Sequence, residues 1–184
     1  GLYSLAKQEH EIDMFGIGTN LVTCQGQPAL GMVFKLADMN GSPRMKLSED
    51  PGKTTTPGKK NVYRLYSKEG HPILDLVTLC DEEVPKVGEK KLCLHIHNSK
   101  KRCYCTPSRV EPLLVCIWDK EKGVVYDLPP LKESRAYVLR QLKEAREDHI
   151  RYLNPTPYKV SASTRLTEYV NDIWTSVCPI AELE

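Results

Sequence analysis

The sequence predicts an α/β chain with a β-rich middle. Three observations point to this class. An apolar run, Ile12-Asp13-Met14-Phe15, ends in Gly16-Ile17-Gly18-Thr19, the pattern of a strand leaving into a loop. Alternating runs then follow one another through short turns such as Asn40-Gly41 and Glu69-Gly70. After Pro129-Pro130 the apolar spacing changes to that of a helix.

The elements follow in order. Residues 2 to 10 read as the end of a helix, and Ile12 to Ile17 as a short buried strand. Leu30 to Ala37 is the next strand, turning at Asn40-Gly41 into Arg44 to Leu47. Residues 48 to 60, SEDPGKTTTPGKK, are turn and charge. Asn61 to Ser67 alternates and turns at Glu69-Gly70 into Pro72 to Leu79. A linker-like loop, Asp81 to Glu89, precedes a third hairpin, Lys91 to His97 with Arg102 to Thr106. Val110 to Trp118 and Val124 to Leu128 predict a fourth. Residues 131 to 148 read as a helix with Leu131, Val138, Leu139, Leu142 and Ala145 on one face. Asn154 to Pro157 breaks it, and Tyr158 to Ser161 is a short strand. Ser161 or Ser163 caps a last helix carrying Leu166, Tyr169, Val170, Ile173 and Trp174.

The bulk properties exclude several classes. The chain has 184 residues and is 40% hydrophobic, enough for a buried core. A mean hydropathy of −0.43 and the lack of a long uncharged apolar stretch argue against a membrane span. The first ten residues hold no signal-peptide apolar region and no initiator Met, while Leu2, Leu5 and Ala6 have helical spacing. The expectation is a fragment of a longer protein. Net charge is +2, from 26 basic and 24 acidic residues, without the basic excess of a nucleic-acid binder. Yet Lys53, Lys59, Lys60, Arg64 and Lys68 fall in a stretch without an acid, which suits a small anion. Seven cysteines, several in strand patterns, predict a reduced cytosolic protein in which thiols pack as small hydrophobes.

Three groups of residues carry candidate chemistry. Gly16, Gly18 and Thr19 offer backbone N–H groups and a hydroxyl to a phosphate; the same residues also make a plain turn. The loop from Asp50 to Lys60 mixes glycine, three threonines and three lysines, again suited to phosphate, or else to a solvated connection. His95, His97, Cys103 and Cys105 are all zinc-ligand types facing each other across a predicted hairpin. Cys-x-Cys spacing favours packing over zinc there. No Ser, Cys or Asp accompanies a histidine in a recognisable triad.

The order of motifs resembles the C-terminal part of the nicotinate phosphoribosyltransferases. The matching stretches are FGIGTNLVTC (15 to 24), QPALGMVFKL (27 to 36), PRMKLSEDPGKTTTPGKKNVYRLY (43 to 66), RVEPLL (109 to 114) and YKVSASTRLTEYVNDIW (158 to 174). The long middle motif is the specific one. The resemblance implies the C-terminal part of an irregular, TIM-like α/β barrel, flanked by an antiparallel β-rich domain with terminal helices. The implied division is 1–47 for the end of the barrel with its phosphate loop, 48–130 for the basic loop and hairpins, and 131–184 for the helical tail with one short strand.

The same resemblance implies a reaction: nicotinate joins 5-phosphoribosyl 1-pyrophosphate to give nicotinate mononucleotide and pyrophosphate, the first step of NAD synthesis from nicotinate. ATP is a co-substrate coupled through a phosphohistidine, Mg²⁺ (or Mn²⁺) accompanies the phosphates, and the enzyme is a cytosolic homodimer that binds neither nucleic acid nor membrane. Gly16, Gly18 and Thr19 then hold the 5-phosphate. Lys53, Lys59 and Thr55 become phosphate contacts, since their stretch is similar to a DPxKxSxxGK segment of the related nicotinamide phosphoribosyltransferase. No catalytic residue or metal ligand is matched in this chain; the phosphohistidine is expected upstream. Two expectations follow: inactivity of the chain alone, and, as a rival role, a truncated subunit that dimerises with a full-length enzyme.

Overall fold

The computed structural model describes residues 2–8, 10–16, 18, 26, 31–48 and 53–178. They fall into two units, residues 1–35 and 36–184. The first holds a short helix, α1 (Leu2–Ala6). Its predicted strands do not form among the described residues: 12–16 and 31–35 carry no strand, and Met14, Val33 and Phe34 are exposed. The physical reason is that a strand is not a local structure; without a partner ladder its backbone groups have nothing to pair with. No barrel is seen among the described residues of this chain.

The second unit is a mixed α/β structure built on a mostly antiparallel sheet. A small hairpin comes first, β1 (Asp38–Met39) and β2 (Ser42–Pro43). Asn40 and Gly41 both take positive φ, 54° and 79°, and the Asp38 side chain accepts a hydrogen bond from the Gly41 N–H. That is the tight hairpin turn the Asn-Gly pair predicts. Six strands then make the main sheet: β3 (Lys60–Tyr66), β4 (Pro72–Leu79), β5 (Lys91–His95), β6 (Asn98–Cys105), β7 (Arg109–Pro112) and, after four more elements, β10 (Lys159–Ala162). Between them lie a small hairpin, β8 (Trp118–Asp119) and β9 (Gly123–Val124), and two helices, α2 (Leu131–Glu144) and α3 (Glu147–Ile150). Helix α4 (Thr164–Val177) closes the chain's described part.

The sheet order is β6-β5-β10-β4-β3-β7. The β3–β4 hairpin forms where the alternation and the Glu69-Gly70 turn place it, whereas the β5–β6 hairpin turns at Ile96-His97, so residues 98–101, expected as the turn, belong to strand β6. The predicted fourth hairpin is different. Arg109–Pro112 leaves it and pairs with β3, while the turn at Asp119–Gly123 joins only the two short strands β8 and β9. The β3 edge offers a ladder that a longer β8–β9 ribbon would have to forgo. Strand β10 lies between β4 and β5, parallel to β4 and antiparallel to β5.

Alternation sorts the core onto two faces. Tyr63 pairs with Leu76 and Leu65 with Leu74, and these pack with Cys93 and Cys105. Val62 pairs with Val77 on the other face, where Leu79, Ala162 and Leu166 join, and α4 covers them. Arg64 and Asp75 also pair there, in a two-point ion pair of 2.8 and 2.9 Å. The Tyr158 hydroxyl donates to the same carboxylate at 2.9 Å and ties the approach to β10 onto the β3–β4 hairpin. Burial pushes the Tyr158 pKa upward.

Tyr66 sits on the edge pair β3–β7. Its hydroxyl donates to Glu111, and the Arg109 guanidinium lies 3.4 Å from its ring centre. Arg109 also reaches Glu144 at the end of α2 at 4.0 Å. The helix expected over residues 131–148 is broken: α2 ends at Glu144, Ala145 and Arg146 are extended, and α3 begins at Glu147; the apolar face of α2 is not buried, and Leu131, Val138, Leu139 and Leu142 stay exposed. Among the described residues no helix is long and apolar enough to cross a membrane.

Two outcomes are expected. Leu76 is fully buried between paired strands, so Leu76→Ala should lose about 2–5 kcal/mol in urea unfolding. Tyr66 has its pKa pushed to about 12 by burial and by its bond to Glu111. A raised folded pKa stabilises fully below the ordinary 10.0, and the contribution is lost as pH rises towards about 12. Tyr66→Phe should therefore lose less stability than the parent across that window, measured by denaturant titration at its two ends.

Candidate functional site

The basic loop is the most informative stretch, and its geometry begins with Lys60. The sequence offers Lys60 as a third ammonium for an anion. In the fold it turns inward and donates to the carbonyls of Thr56 (2.7 Å), Pro57 (3.3 Å) and Gly58. Burial lowers its pKa, with Asp38 acting against that. One side chain thus holds three consecutive carbonyls of the loop. Gly58 completes the lock. It takes φ of +80°, and its N–H donates to the Ala37 carbonyl at 2.7 Å. An added Cβ would meet the Tyr169 ring at 3.0 Å. Both the backbone angle and the close helix require glycine here.

The locked loop forms one wall of a cavity of about 700 Å³. Residues 47–48 and 54–56 supply that wall, the turn 95–99 between β5 and β6 a second, and α4 a third. Thr55 belongs to it and is buried, its N–H donating to the Lys46 carbonyl at 3.3 Å. Thr54 Oγ1 is buried without a hydrogen-bond partner. Lys59 lies instead in a smaller hollow of about 450 Å³, beside the Arg165–Asp81 ion pair of 2.6 Å. Lys53 is exposed and lines neither. The three predicted contacts of this loop therefore do not converge on one cavity.

Gly16 and Gly18 are exposed, with open space where a Cβ would stand. Thr19 lies outside the described residues.

The zinc arrangement does not assemble. Cys93 and Cys103 face each other across β5–β6, Cys105 packs beside them in the core, and all are free thiols. Burial, with the neighbouring thiols, pushes Cys93 up to about 12, which keeps its proton on. A register shift between Leu94 and His95 separates the histidines from this row. His95 and His97 lie at the cavity rim with ring centres 6.2 Å apart. Among the described residues no group of three or more His, Cys, Asp or Glu is placed to hold a metal ion.

Sequence reasoning misses one structural node. Glu82, in the stretch read as a linker, accepts from the Leu79 N–H at 2.8 Å and from the Ser163 hydroxyl at 2.6 Å. Ser163 in turn accepts from the Leu166 N–H at 3.0 Å and caps α4, as the cap motif predicts. Nothing local in the sequence shows that Glu82 meets a residue 81 positions on.

Comparison with known proteins gives the same direction throughout. The family model of the nicotinate phosphoribosyltransferase C-terminal domain matches residues 59–170. The chain belongs to the nicotinate phosphoribosyltransferase family. Nicotinate phosphoribosyltransferase 2 of Arabidopsis thaliana is 52% identical over 98% of this chain and 33% of its own length. The Homo sapiens nicotinate phosphoribosyltransferase is 39% identical over 97% of this chain and 33% of its own. The crystal structure of human nicotinic acid phosphoribosyltransferase overlays with a TM-score of 0.65, at 34% identity, over 77% of this chain and 26% of that one. The chain spans about a third of the length of the curated relatives it matches.

The loop lock is directly testable. Gly58→Ala should cost about 1–3 kcal/mol, because it strains the backbone and pushes against Tyr169. Thermal unfolding would show the loss, and an unchanged melting temperature would refute the lock.

Proposed function

We propose that this chain is the C-terminal part of an enzyme that makes nicotinate mononucleotide and pyrophosphate from nicotinate and 5-phosphoribosyl 1-pyrophosphate. The observation that carries the reading is the match of the family's C-terminal domain to residues 59–170, together with curated relatives similar along nearly the whole chain. In this reading residues 1–47 complete an α/β barrel whose remaining strands come from a longer chain. Residues 48–130 and 131–184 form the flanking β-rich and helical parts.

In the reaction, the nicotinate ring nitrogen attacks C1 of the ribose as the bond from C1 to pyrophosphate breaks. Backbone N–H groups around Gly16 and Gly18 and the Thr19 hydroxyl bind the 5-phosphate and fix the ribose for attack. Lys53 and Lys59, both exposed, are the cationic contacts of the phosphates in this reading, and Thr55, which is buried, is the hydroxyl contact. Mg²⁺ (or Mn²⁺), when bound, would offset the charge on the pyrophosphate leaving group; among the described residues no group of three or more His, Cys, Asp or Glu is placed to hold it. ATP enters as a co-substrate, through a phosphohistidine outside this chain. The working unit in this reading is a cytosolic homodimer.

The exposed apolar face of α2 favours a second point: the chain needs more protein around it and is inactive alone. The rival role, a truncated subunit docked on a full-length enzyme without turnover of its own, draws on the same face. Co-purification of the chain with a full-length subunit, without gain in activity, would support it.

The test uses the full-length product of the gene with radiolabelled nicotinate, phosphoribosyl pyrophosphate and Mg²⁺, with and without ATP. Labelled mononucleotide, stimulated by ATP, is expected. Thr19→Val should lower kcat/KM for phosphoribosyl pyrophosphate about 10- to 100-fold. No product from folded protein would overturn the reading. Product insensitive to Thr19→Val would keep the reaction and remove the phosphate role of residues 16–19.

A further inference from the structure

Three cysteines meet on one face of the β5–β6 hairpin, and their register singles out one pair. Cys93 of β5 stands directly opposite Cys103 of β6 in the antiparallel ladder, and Cys105 lies two residues further along β6. The ladder is regular from Lys91 to Leu94; its shift comes after Leu94. Cys93 and Cys105 are buried in the cluster with Leu65 and Leu74, and Cys103 packs against that cluster from a half-buried position. Tyr104, between Cys103 and Cys105, is exposed. All three cysteines are free thiols.

Strand geometry decides which of them can be joined. A disulfide needs Cα atoms about 4.4–6.8 Å apart and Cβ atoms about 3.5–4.5 Å apart. Residues directly opposite in an antiparallel pair have both their Cα and their Cβ atoms about 4.5–5.5 Å apart. The register therefore puts Cys93 and Cys103 inside the first range and within about 1 Å of the second. Cys103 and Cys105, two apart on one strand, have parallel Cβ directions about 6.5 Å apart, outside the second range. Cys93 and Cys105 form a diagonal of about 7–8 Å, outside the first.

Access separates the roles within the pair. Cys93 is fully buried. Cys103 lies on the edge strand of the sheet, whose outer side no other strand covers among the described residues. An oxidant from solvent meets Cys103 first, with Cys93 directly behind it. Burial holds the Cys93 proton on, so Cys93 does not react with the oxidant itself and acts only on a sulfur placed against it.

We infer that Cys93 and Cys103 form a reversible cross-strand disulfide when a hydroperoxide reaches the edge strand. The Cys103 sulfur attacks hydrogen peroxide and the O–O bond breaks. One oxygen stays on Cys103 as a sulfenic acid, and the other leaves as water. The Cys93 sulfur then attacks the Cys103 sulfur. The S–S bond forms, the S–O bond breaks, and the hydroxide leaves as water with the Cys93 proton. Two thiols and one hydrogen peroxide thus give one disulfide and two waters. A dithiol reductant reverses the step by thiol–disulfide exchange. The link ties the hairpin whose turn, residues 95–99, walls the cavity of about 700 Å³.

The experiment treats the folded full-length gene product with hydrogen peroxide. Remaining thiols are then blocked with iodoacetamide in denaturant, and the peptides are mapped by mass spectrometry before and after reduction with dithiothreitol. A linked species joining the Cys93 and Cys103 peptides within one chain is expected, and reduction should remove it. Cys103→Ser, at a half-buried edge position, should abolish the link, and Cys105→Ser should leave it in place. Should the Cys105 variant melt at lower temperature, fragmentation of the parent's linked peptides assigns the sulfur directly. Overturning results are Cys93 fully alkylated after peroxide, Cys93 linked to Cys105 or to another chain, or Cys103 linked to a thiol other than Cys93. None of these readings depends on mononucleotide formation, so a failed disulfide and a failed reaction remain distinguishable.

Discussion

The insertion of β10 between β4 and β5 is the constraint on which the rest of the second unit depends. The β3–β4 and β5–β6 hairpins do not pair with each other; four residues from near the end of the chain join them. Each residue of β10 meets β4 in parallel register, from Lys159↔Leu74 to Ala162↔Val77, and Ser161 and Ala162 meet β5 on the other side. The ladder continues one residue further, where the Ser163 N–H donates to the Val77 carbonyl at 3.0 Å. A central strand satisfies both of its edges, so the gap that β10 fills could not stay open without unpaired backbone groups on β4 and β5.

That insertion also places the cavity. Ser163 stops the strand and caps α4, and Glu82 holds the cap to the end of β4. The helix is thereby laid over Val77 and Leu79, with Tyr169 above Gly58. Lys60 gathers the carbonyls of the basic loop, Gly58 accommodates the helix, and Thr54–Thr56 end facing the β5–β6 turn across the cavity. A lysine counted in the sequence as a ligand group serves as the loop's internal fastener.

Membership of the nicotinate phosphoribosyltransferase family gives these features a setting. The chain spans about a third of the length of the relatives it matches. It leaves large apolar side chains exposed on the face of α2 and at Met14, Val33 and Phe34. The sheet unit, by contrast, buries its own core and satisfies its own ladder, so its geometry stands on contacts within residues 36–184.

The sequence by itself determined what is local. Asn40-Gly41 and Glu69-Gly70 specify their turns because glycine adopts positive φ, 79° and 84°, without steric cost. Ser163 specifies the start of α4 because its oxygen reaches the N–H three residues on. The motif from Pro43 to Tyr66, quoted residue by residue, carries the family. Tertiary structure decided what depends on distant partners. The apolar runs at Ile12 and Leu30 and the face of α2 read as buried, yet burial needs a neighbour that hydrophobicity alone does not supply. The direction of Lys60, the separation of His95 from Cys93 by a register shift, and the meeting of Glu82 with Ser163 were invisible for the same reason. Turns and caps are fixed by the conformational limits of a few adjacent residues, whereas pairing and burial are fixed by which segments arrive beside one another.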